Sequence, residues 1–530
     1  MFQFFTYTMT KQLLLGNEAI ARGIYEAGIT VATGYPGTPS TEILENVAEK
    51  YKDVIYAEWS PNEKVAFEVA AGAALAGARA VVTMKHVGLN VAADPLFTSS
   101  YTGVNGGLVV VVADDPGMFS SQNEQDSRFY ARASHVPMLE PSDTQEAKDF
   151  TKLAFGLSEK YDTPVLVRMS TRVSHGQSMM AEGARIDYKR KPYVKDIAKW
   201  VMIPGFAKGR HVVVEKRTDR LAADVNGMDI NRAEVRNADL GIVCAGAVYQ
   251  YVREALPDAS VFKIGTMFPL PIEAIRAFSQ KVKKLVVAEE LEPFIENQLK
   301  ANGIPCEGKK YFSKQSELSV NIVKEKLAGA KPAPQALDAG LPARPPVLCA
   351  GCPHRGVYQI MGKLGLTVFG DIGCYSLGAL PPLSAMETLV CMGACIGMAI
   401  GYEKALGRGN AGNAVAVIGD STFVHSGMTG LADAVYNGLN TKVVIMDNST
   451  TGMTGHQQHP ATGRTIKGGE THKLSLEDVS RACGVRDENV AVVNAYDLAT
   501  VERAFKEQLA RPGVSVIITR APCILLRTKN

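Results

Sequence analysis

The chain has 530 residues, 46% of them hydrophobic, enough for three domains of ordinary size, each with its own core. Its 57 Lys and Arg against 54 Asp and Glu leave a formal net charge of +3, a balance that favours neither nucleic acid nor an anionic membrane as partner; the longest apolar run, Leu108–Ala113, is far too short to span a bilayer. The start, Met1-Phe-Gln-Phe-Phe5, lacks the basic region and cleavage site of an export signal, so the nine cysteines, several clustered, point to metal or redox chemistry in the cytoplasm rather than to disulfides.

From residue 10 to 185 predicted helices and strands alternate. A helix over 17–27 and a strand over 29–33 lead into Gly34-Tyr-Pro-Gly-Thr-Pro-Ser-Thr-Glu42, a tight loop whose hydroxyls and amides can face a ligand. Ser60-Pro61-Asn62-Glu63 then opens an Ala-rich helix running to Gly77, with Ser60 as the expected N-cap, Pro61 at the first helical position and Glu63 spaced to close a capping box. The stretches 83–90 and 113–128 both follow apolar strands, so both belong on the ligand edge of the sheet, and they offer Lys85, His86 and Arg128 as cations. Each of these reads equally well as a solvated loop charge. Residues 186–236 are charged and lack clear periodicity, as in a connector. A strand and helix start at 240–249 and a strand at 284–290 resume the α/β pattern, with Cys244 and Cys306 as buried thiols, and five prolines between Pro332 and Pro346 mark a linker.

In the last segment Ala414–Ile418 is a short β-branched strand ending at Gly419-Asp420-Ser421. Helical spacing over 426–438 follows, then a second strand, Lys442–Met446, ending at Asp447-Asn448-Ser449-Thr450. Ligands of a parallel sheet bind beyond the carboxyl ends of its strands, so Asp420 and Asn448 should converge. A carboxylate, an amide oxygen and the Thr450 carbonyl suit Mg²⁺ held against a diphosphate, and a helix N-terminus favours the same anion. The segment also holds Cys349-Ala-Gly-Cys352-Pro-His-Arg, Gly370-Asp-Ile-Gly-Cys374 and Ala521-Pro-Cys523, and Cys-x-x-Cys is by itself ambiguous among redox, zinc and cluster chemistry. Cys391 and Cys395 read as packing residues of an Ala/Gly/Met-rich helix, and Cys483 is unassigned. His456 and His459 lie in a Gly- and Pro-bounded loop, where they are pocket residues or simple loop donors rather than a metal pair, His456 being the nearer to the Mg²⁺ loop.

The Gly-Asp-x…Asn spacing of 419–448 resembles the diphosphate-binding motif of thiamine diphosphate enzymes, with Ser421 where Gly is usual. The words Gly-Asp-Ser-Thr-Phe-Val-His-Ser-Gly (419–427) and Asp-Asn-Ser-Thr-Thr-Gly-Met-Thr-Gly-His-Gln (447–457) are more specific and resemble the alpha subunits of indolepyruvate ferredoxin oxidoreductases, within the 2-oxo acid:ferredoxin oxidoreductase family. The alternative is an ordinary doubly wound domain with a strand-end Asp in a turn. The resemblance runs from 11 to 527 and implies a multidomain α/β fold with two doubly wound parallel-sheet thiamine diphosphate-binding domains. These are a pyrimidine-binding domain at 10–185 and a diphosphate-binding domain with an iron–sulfur site at 347–530. Between them it places the connector 186–236, a transketolase C-terminal-like middle domain at 237–330 and the linker 331–346.

It further implies roles for particular residues. Glu63 would protonate N1′ of the aminopyrimidine, against the capping-box reading, and Thr38 would border the reacting carbon, against that of a turn residue. Gly419, Asp420, Ser421, Asn448, Thr450 and Met453 would bind the cofactor, with Asp420, Asn448 and Thr450 on Mg²⁺, and His456 would face substrate. Cys349, Cys352, Cys374 and Cys523 would ligate a [4Fe–4S] cluster, although a Cys₄ zinc site fits the ligand count equally well. Two departures stand out. The pyruvate-using relatives carry an Arg where this chain has Asp114, so the substrate carboxylate needs another receptor, for which Lys85, His86 and Arg128 are the candidates, as expected of the aryl-pyruvate branch. Relatives also continue past Pro-Cys into a ferredoxin-like domain with Cys-x₂-Cys-x₂-Cys-x₃-Cys-Pro runs, and no such run occurs here. The expected activity is oxidative decarboxylation of an aryl pyruvate to its acyl-coenzyme A. A smaller beta subunit, a ferredoxin or other electron-accepting subunit, and a hetero-oligomer with two alpha subunits go with it. The alternatives are a non-oxidative 2-oxo acid decarboxylase, which needs no cluster, and a non-catalytic cluster-bearing scaffold.

Overall fold

The computed structural model describes residues 10–330, 340–342, 344–407 and 413–527, in two units, 1–336 and 337–530. The N-terminal stretch 1–5, and residues 331–339 and 343 of the expected linker, lie outside the described residues.

Thirteen strands of the first unit form three sheets among the described residues: β1 (Lys11–Leu15), β2 (Val31–Gly34), β3 (Tyr56–Trp59), β4 (Ala80–Lys85), β5 (Leu108–Asp114), β6 (Met138–Leu139), β7 (Val165–Ser170), β8 (Gln177–Ala181), β9 (Arg232–Glu234), β10 (Leu240–Ala245), β11 (Ser260–Ile264), β12 (Thr266–Phe268) and β13 (Lys284–Ala288). The main sheet runs β12-β6-β7-β5-β4-β2-β3 and is parallel except where β12 joins β6 antiparallel. Every residue of β5 is buried, as a run of four valines between helix layers requires. A second sheet, β13-β10-β11-β9, packs into the same core, where Val110 and Met84 share a cluster with Phe262, Met267 and Phe278. β1 and β8 pair as a separate antiparallel ribbon.

The segment expected to be an aperiodic connector holds a 21-residue helix, Pro204–Asp224. Only Val214, Arg217 and Leu221 are buried along it, a stripe too sparse to show among its charges. Arg217 anchors the helix by donating to Ser100 O (3.0 Å) and Asp162 O (2.8 Å).

Arg128 is not a substrate receptor. Its guanidinium is 2% exposed and fully engaged, donating to Asp126 Oδ2 (2.6 Å), Glu289 Oε2 (2.7 Å) and the carbonyls of Glu290 and Glu292 (3.0 Å each). Asp114 is likewise occupied: fully buried, it accepts from Arg168 Nε (2.7 Å) and from the Ser127 amide (3.1 Å) and hydroxyl. Arg128→Met should cost about 3–5 kcal/mol, because it leaves Asp126 and Glu289 buried without their cation. Chemical denaturation measures this, and a loss below about 1 kcal/mol would contradict the structural role.

Among the described residues the second unit has one parallel sheet, of β14 (Thr367–Phe369), β15 (Ala414–Gly419), β16 (Lys442–Asp447), β17 (Val490–Asn494) and β18 (Ser515–Arg520), in the order β14-β15-β16-β18-β17. β15 and β16 are adjacent and buried throughout, so their carboxyl ends deliver Asp420 and Asn448 side by side. The helix expected from 426 starts earlier, with a turn at Asp420–Thr422, a wide π turn at Phe423–Gly427 and an α-helix at Met428–Tyr436. A Cβ at Gly427 would fall 2.8 Å from Ile418 Cδ1 and 2.9 Å from the Phe423 ring, so glycine is what lets the widened turn lie against the strand. Among the described residues no helix is long and apolar enough to cross a membrane.

Candidate functional site

In the first unit the carboxyl edge of the main sheet gathers the loop after β2, the N-terminus of helix Glu63–Leu75 and the end of β4. The helix is capped by Asn62, not Ser60: the Asn62 side chain accepts from Val65 N at 2.9 Å, and Ser60 Oγ turns back to donate to Glu58 Oε1 at 2.8 Å. Pro61 therefore precedes the helix, and the Ser60–Glu63 capping box does not form. Glu63 is the first helical residue, 5% exposed. Its carboxyl lies against Gly88, where a Cβ would fall 2.5 Å from Glu63 Oε1, so helix His86–Val91 meets Glu63 at a residue with no side chain. Thr38 is half-buried in the loop after β2, and its carbonyl accepts from Ser120 Oγ at 3.4 Å. His86 is buried and kept neutral by that burial, and neither ring nitrogen makes a well-aligned hydrogen bond.

In the second unit Asp420 is 2% exposed, and burial raises the pKa of its carboxyl. Oδ1 accepts from Ser421 N (3.0 Å), whereas Oδ2 is buried with no hydrogen bond, His459 Nε2 standing 3.2 Å away outside hydrogen-bonding alignment. Such an oxygen suits a hard cation. Asn448 is buried beside it: Oδ1 accepts from Thr450 N (3.3 Å), and Nδ2 lies 3.4 Å from His354 Nε2. Burial pushes the pKa of His354 down to about 4, so the ring is neutral and serves the Asn448 amide as an acceptor. Ser421, the departure from the usual Gly, accepts a hydrogen bond from Thr451 Oγ1 (3.0 Å) and so ties the two loops together. Gly419 packs under Tyr375, Thr450 is buried, and Met453 is exposed on the turn Gly452–Thr454. His456 has φ 73°, while His459 is the histidine that meets Asp420. The sequence signal for His459 was its place directly before Pro460, at the start of the next tight turn.

The cysteine segments meet at the same edge. Burial, and then the charges of Cys352, Cys523 and Cys349, push the Cys374 thiol up to about 11, and Cys349 and Cys523 likewise help raise Cys352 after burial. Gly351 packs near Ile524, next to Cys523, and Cys352 N donates to Cys349 O (3.1 Å). Asp371 fixes the Gly370–Cys374 loop by accepting from the Gly393 (3.0 Å) and Cys395 (3.1 Å) amides at the start of helix Ala394–Leu406. Two contacts join these thiols to the Asp420–Asn448 loops: Cys523 N donates to Asn448 O at 2.9 Å, and a Cβ at Gly452 would lie 3.3 Å from Cys374 Sγ and 3.5 Å from Asn448 Nδ2. Among the described residues no three His, Cys, Asp or Glu side chains have the arrangement of a metal-ion site. The donor chemistry of this edge is that of cysteine thiols near enough to raise one another's pKa and of one carboxylate oxygen without a hydrogen bond. Cys395 is core, but Cys391 lies ahead of its helix and is exposed, contrary to the packing role expected.

Two family models match: the thiamine diphosphate-binding domain of pyruvate flavodoxin/ferredoxin oxidoreductases over 22–196, and the C-terminal thiamine pyrophosphate-binding domain of thiamine pyrophosphate enzymes over 371–519. The chain is 42% identical to the indolepyruvate oxidoreductase subunit IorA of Archaeoglobus fulgidus, over 97% of this chain and 87% of that one. It is also 42% identical to IorA of Pyrococcus horikoshii, over 98% and 86%. A solved structure of 2-oxoglutarate:ferredoxin oxidoreductase from Magnetococcus marinus, 18% identical, has a TM-score of 0.52 over 60% of this chain and 65% of its own, a likeness of fold. The fold is thus the multidomain α/β architecture of thiamine diphosphate-binding enzymes.

Proposed function

The chain belongs to the indolepyruvate oxidoreductase alpha subunits, thiamine diphosphate-dependent 2-oxo acid oxidoreductases, and from that membership we propose that it oxidatively decarboxylates aryl pyruvates of the indolepyruvate and phenylpyruvate type. The bond between the carboxylate and keto carbons breaks and carbon dioxide leaves. The keto carbon gives up two electrons and forms a thioester with coenzyme A, whose thiol proton is released, and two one-electron acceptors are reduced. Thiamine diphosphate supplies the electron sink for that carbon when bound.

The residues divide the work. Asp420 Oδ2, Asn448 and the Thr450 carbonyl would hold Mg²⁺, which would offset the charge of a diphosphate, Gly419, Ser421 and Met453 would border the cofactor, and His354 keeps the Asn448 amide oriented. Glu63 would hold the proton at the aminopyrimidine, Thr38 would border the reacting carbon, and His456 would face the substrate, with His459 beside Asp420. Cys349, Cys352, Cys374 and Cys523 would hold a [4Fe–4S] cluster, which would supply one-electron chemistry toward a ferredoxin or an electron-accepting subunit. A smaller beta subunit completes a hetero-oligomer with two alpha subunits. Nine free cysteines suit the reducing cytoplasm.

The observation that most supports the oxidative reading is the 2.9 Å bond from Cys523 N to Asn448 O, which puts a candidate cluster ligand one hydrogen bond from a candidate Mg²⁺ ligand. The test is anaerobic purification with metal analysis, then thiamine diphosphate-dependent viologen reduction with indolepyruvate, phenylpyruvate, pyruvate and 2-oxoglutarate. Iron in the protein and preference for the aryl acids are expected; carbon dioxide release without viologen reduction, from iron-free protein, would establish the decarboxylase instead.

A further inference from the structure

Lys85 closes β4 and is 8% exposed. Its stem packs on Gly37, where a Cβ would fall 2.9 Å from Lys85 Cβ, and its Nζ donates to Ser120 O at 2.6 Å. Ser120 is exposed and its hydroxyl donates to Thr38 O, so the ammonium sits where the Gly37–Thr38 loop opens to solvent. The next residues form helix His86–Val91, whose Gly88 backs onto the Glu63 carboxyl. Lys85, Thr38 and Glu63 thus share one sheet edge.

Among the described residues Lys85 makes no ion pair. Asp115, whose charge acts on it, is already bound by Ser120 N (2.9 Å), Ser121 Oγ (2.6 Å) and Thr171 Oγ1 (2.8 Å). The other cations of this edge are committed: Arg128 to Asp126 and Glu289, Arg168 to Asp114 and Glu140, Arg172 to Glu317. A buried ammonium with a single carbonyl partner has lost water without gaining a carboxylate in contact, an arrangement that an arriving anion completes. Burial also pushes its pKa down to about 8.

We propose that Lys85 Nζ receives the carboxylate of the 2-oxo acid, in place of the guanidinium that the Asp114 position lacks. This rests on the 2-oxo acid reading above. A lysine ammonium offers one point of attachment rather than a planar fork, so the carboxylate is anchored through one oxygen and the aryl group is free to set the orientation.

The test compares wild type with Lys85→Met and Lys85→Arg, using two unreactive analogues, 3-phenylpropionate and 3-phenylpropionamide, as inhibitors of 2-oxo acid oxidation. Lys85→Met should raise the inhibition constant of the carboxylate about 10- to 100-fold, the worth of a charge-assisted hydrogen bond, and leave that of the amide and the KM for coenzyme A unchanged. Lys85→Arg should recover part of the loss. Removing an unpaired buried charge should not lower the melting temperature, so failure of Lys85→Met to fold would make the residue structural and overturn the proposal. A carboxylate inhibition constant within twofold of wild type, or a rise confined to coenzyme A, would also overturn it and leave the enzymatic reading standing. No 2-oxo acid turnover by wild type would remove that reading first, and this one with it.

Discussion

Glu63→Gln should retain thiamine diphosphate close to wild-type affinity and lose turnover by about 10²–10⁴-fold, the usual worth of a positioned acid or base. Glutamine keeps the shape that rests on Gly88, where there is no room for a larger group, but its amide cannot act as an acid or base at its tip. The helix does not depend on Glu63 for its cap, since Asn62 accepts from Val65 N at 2.9 Å. What the substitution forfeits structurally is the favourable charge of a carboxylate in the first turn, about 0.3–1 kcal/mol. The two effects therefore separate. Cofactor titration, steady-state rates and thermal melts on the same preparation decide: a variant with wild-type rate and only a lowered melting temperature would return Glu63 to a purely structural role.

Cys523→Ser should lower or alter the iron content and slow acceptor reduction more than carbon dioxide release. A serine hydroxyl stays protonated where a thiolate would bind iron, so the fourth ligand is lost while the backbone bond from residue 523 to Asn448 O can persist. The Mg²⁺ loop should keep its shape, and the injury falls on the step after the carbon chemistry. Iron analysis, carbon dioxide release and viologen reduction, measured together under anaerobic conditions, are the readout. Unchanged iron would remove Cys523 from the ligand set and bring forward exposed Cys391, because Cys395 is buried against Asp371 and Cys483 Sγ is turned to Met428 O. Stoichiometric zinc without iron in the wild type would remove the cluster altogether.

Much of this protein's architecture follows from local pattern. Val-rich runs at 108–113, 414–418 and 442–446 become fully buried parallel strands because a sheet covered on both faces accepts little else, and a strand of known direction fixes which end presents Asp420 and Asn448. Their convergence was legible before any packing was known, whereas the four cysteines spread over 349–523 were joined into one set only by the family resemblance.

The roles of individual charges were not legible, because a buried charge takes its partner from whatever the fold brings near. Arg128 looked like any loop cation until Glu289, far along the chain, closed on it, and Asp114 could not be read without Arg168 on the neighbouring strand. The same limit applied over shorter distances. Ser60 and Asn62 are both good caps, and the choice fell to Asn62 once Pro61 stayed outside the helix and Ser60 found Glu58. His456 was nearer in sequence to the Mg²⁺ loop, yet the turn at 451–457 folds back through the Thr451 N to Gln457 O bond, and His459 is the one that reaches Asp420. Lys85 shows the reverse case: in the sequence it was a candidate receptor no better than His86 or Arg128 and equally a loop cation, and only the tertiary structure, by burying it with no carboxylate in contact, set it apart. Backbone hydrogen bonding and burial periodicity act within a few residues and so are written in the chain. The neutralisation of buried charge acts across whatever distance the packing closes, and only the folded molecule decides it.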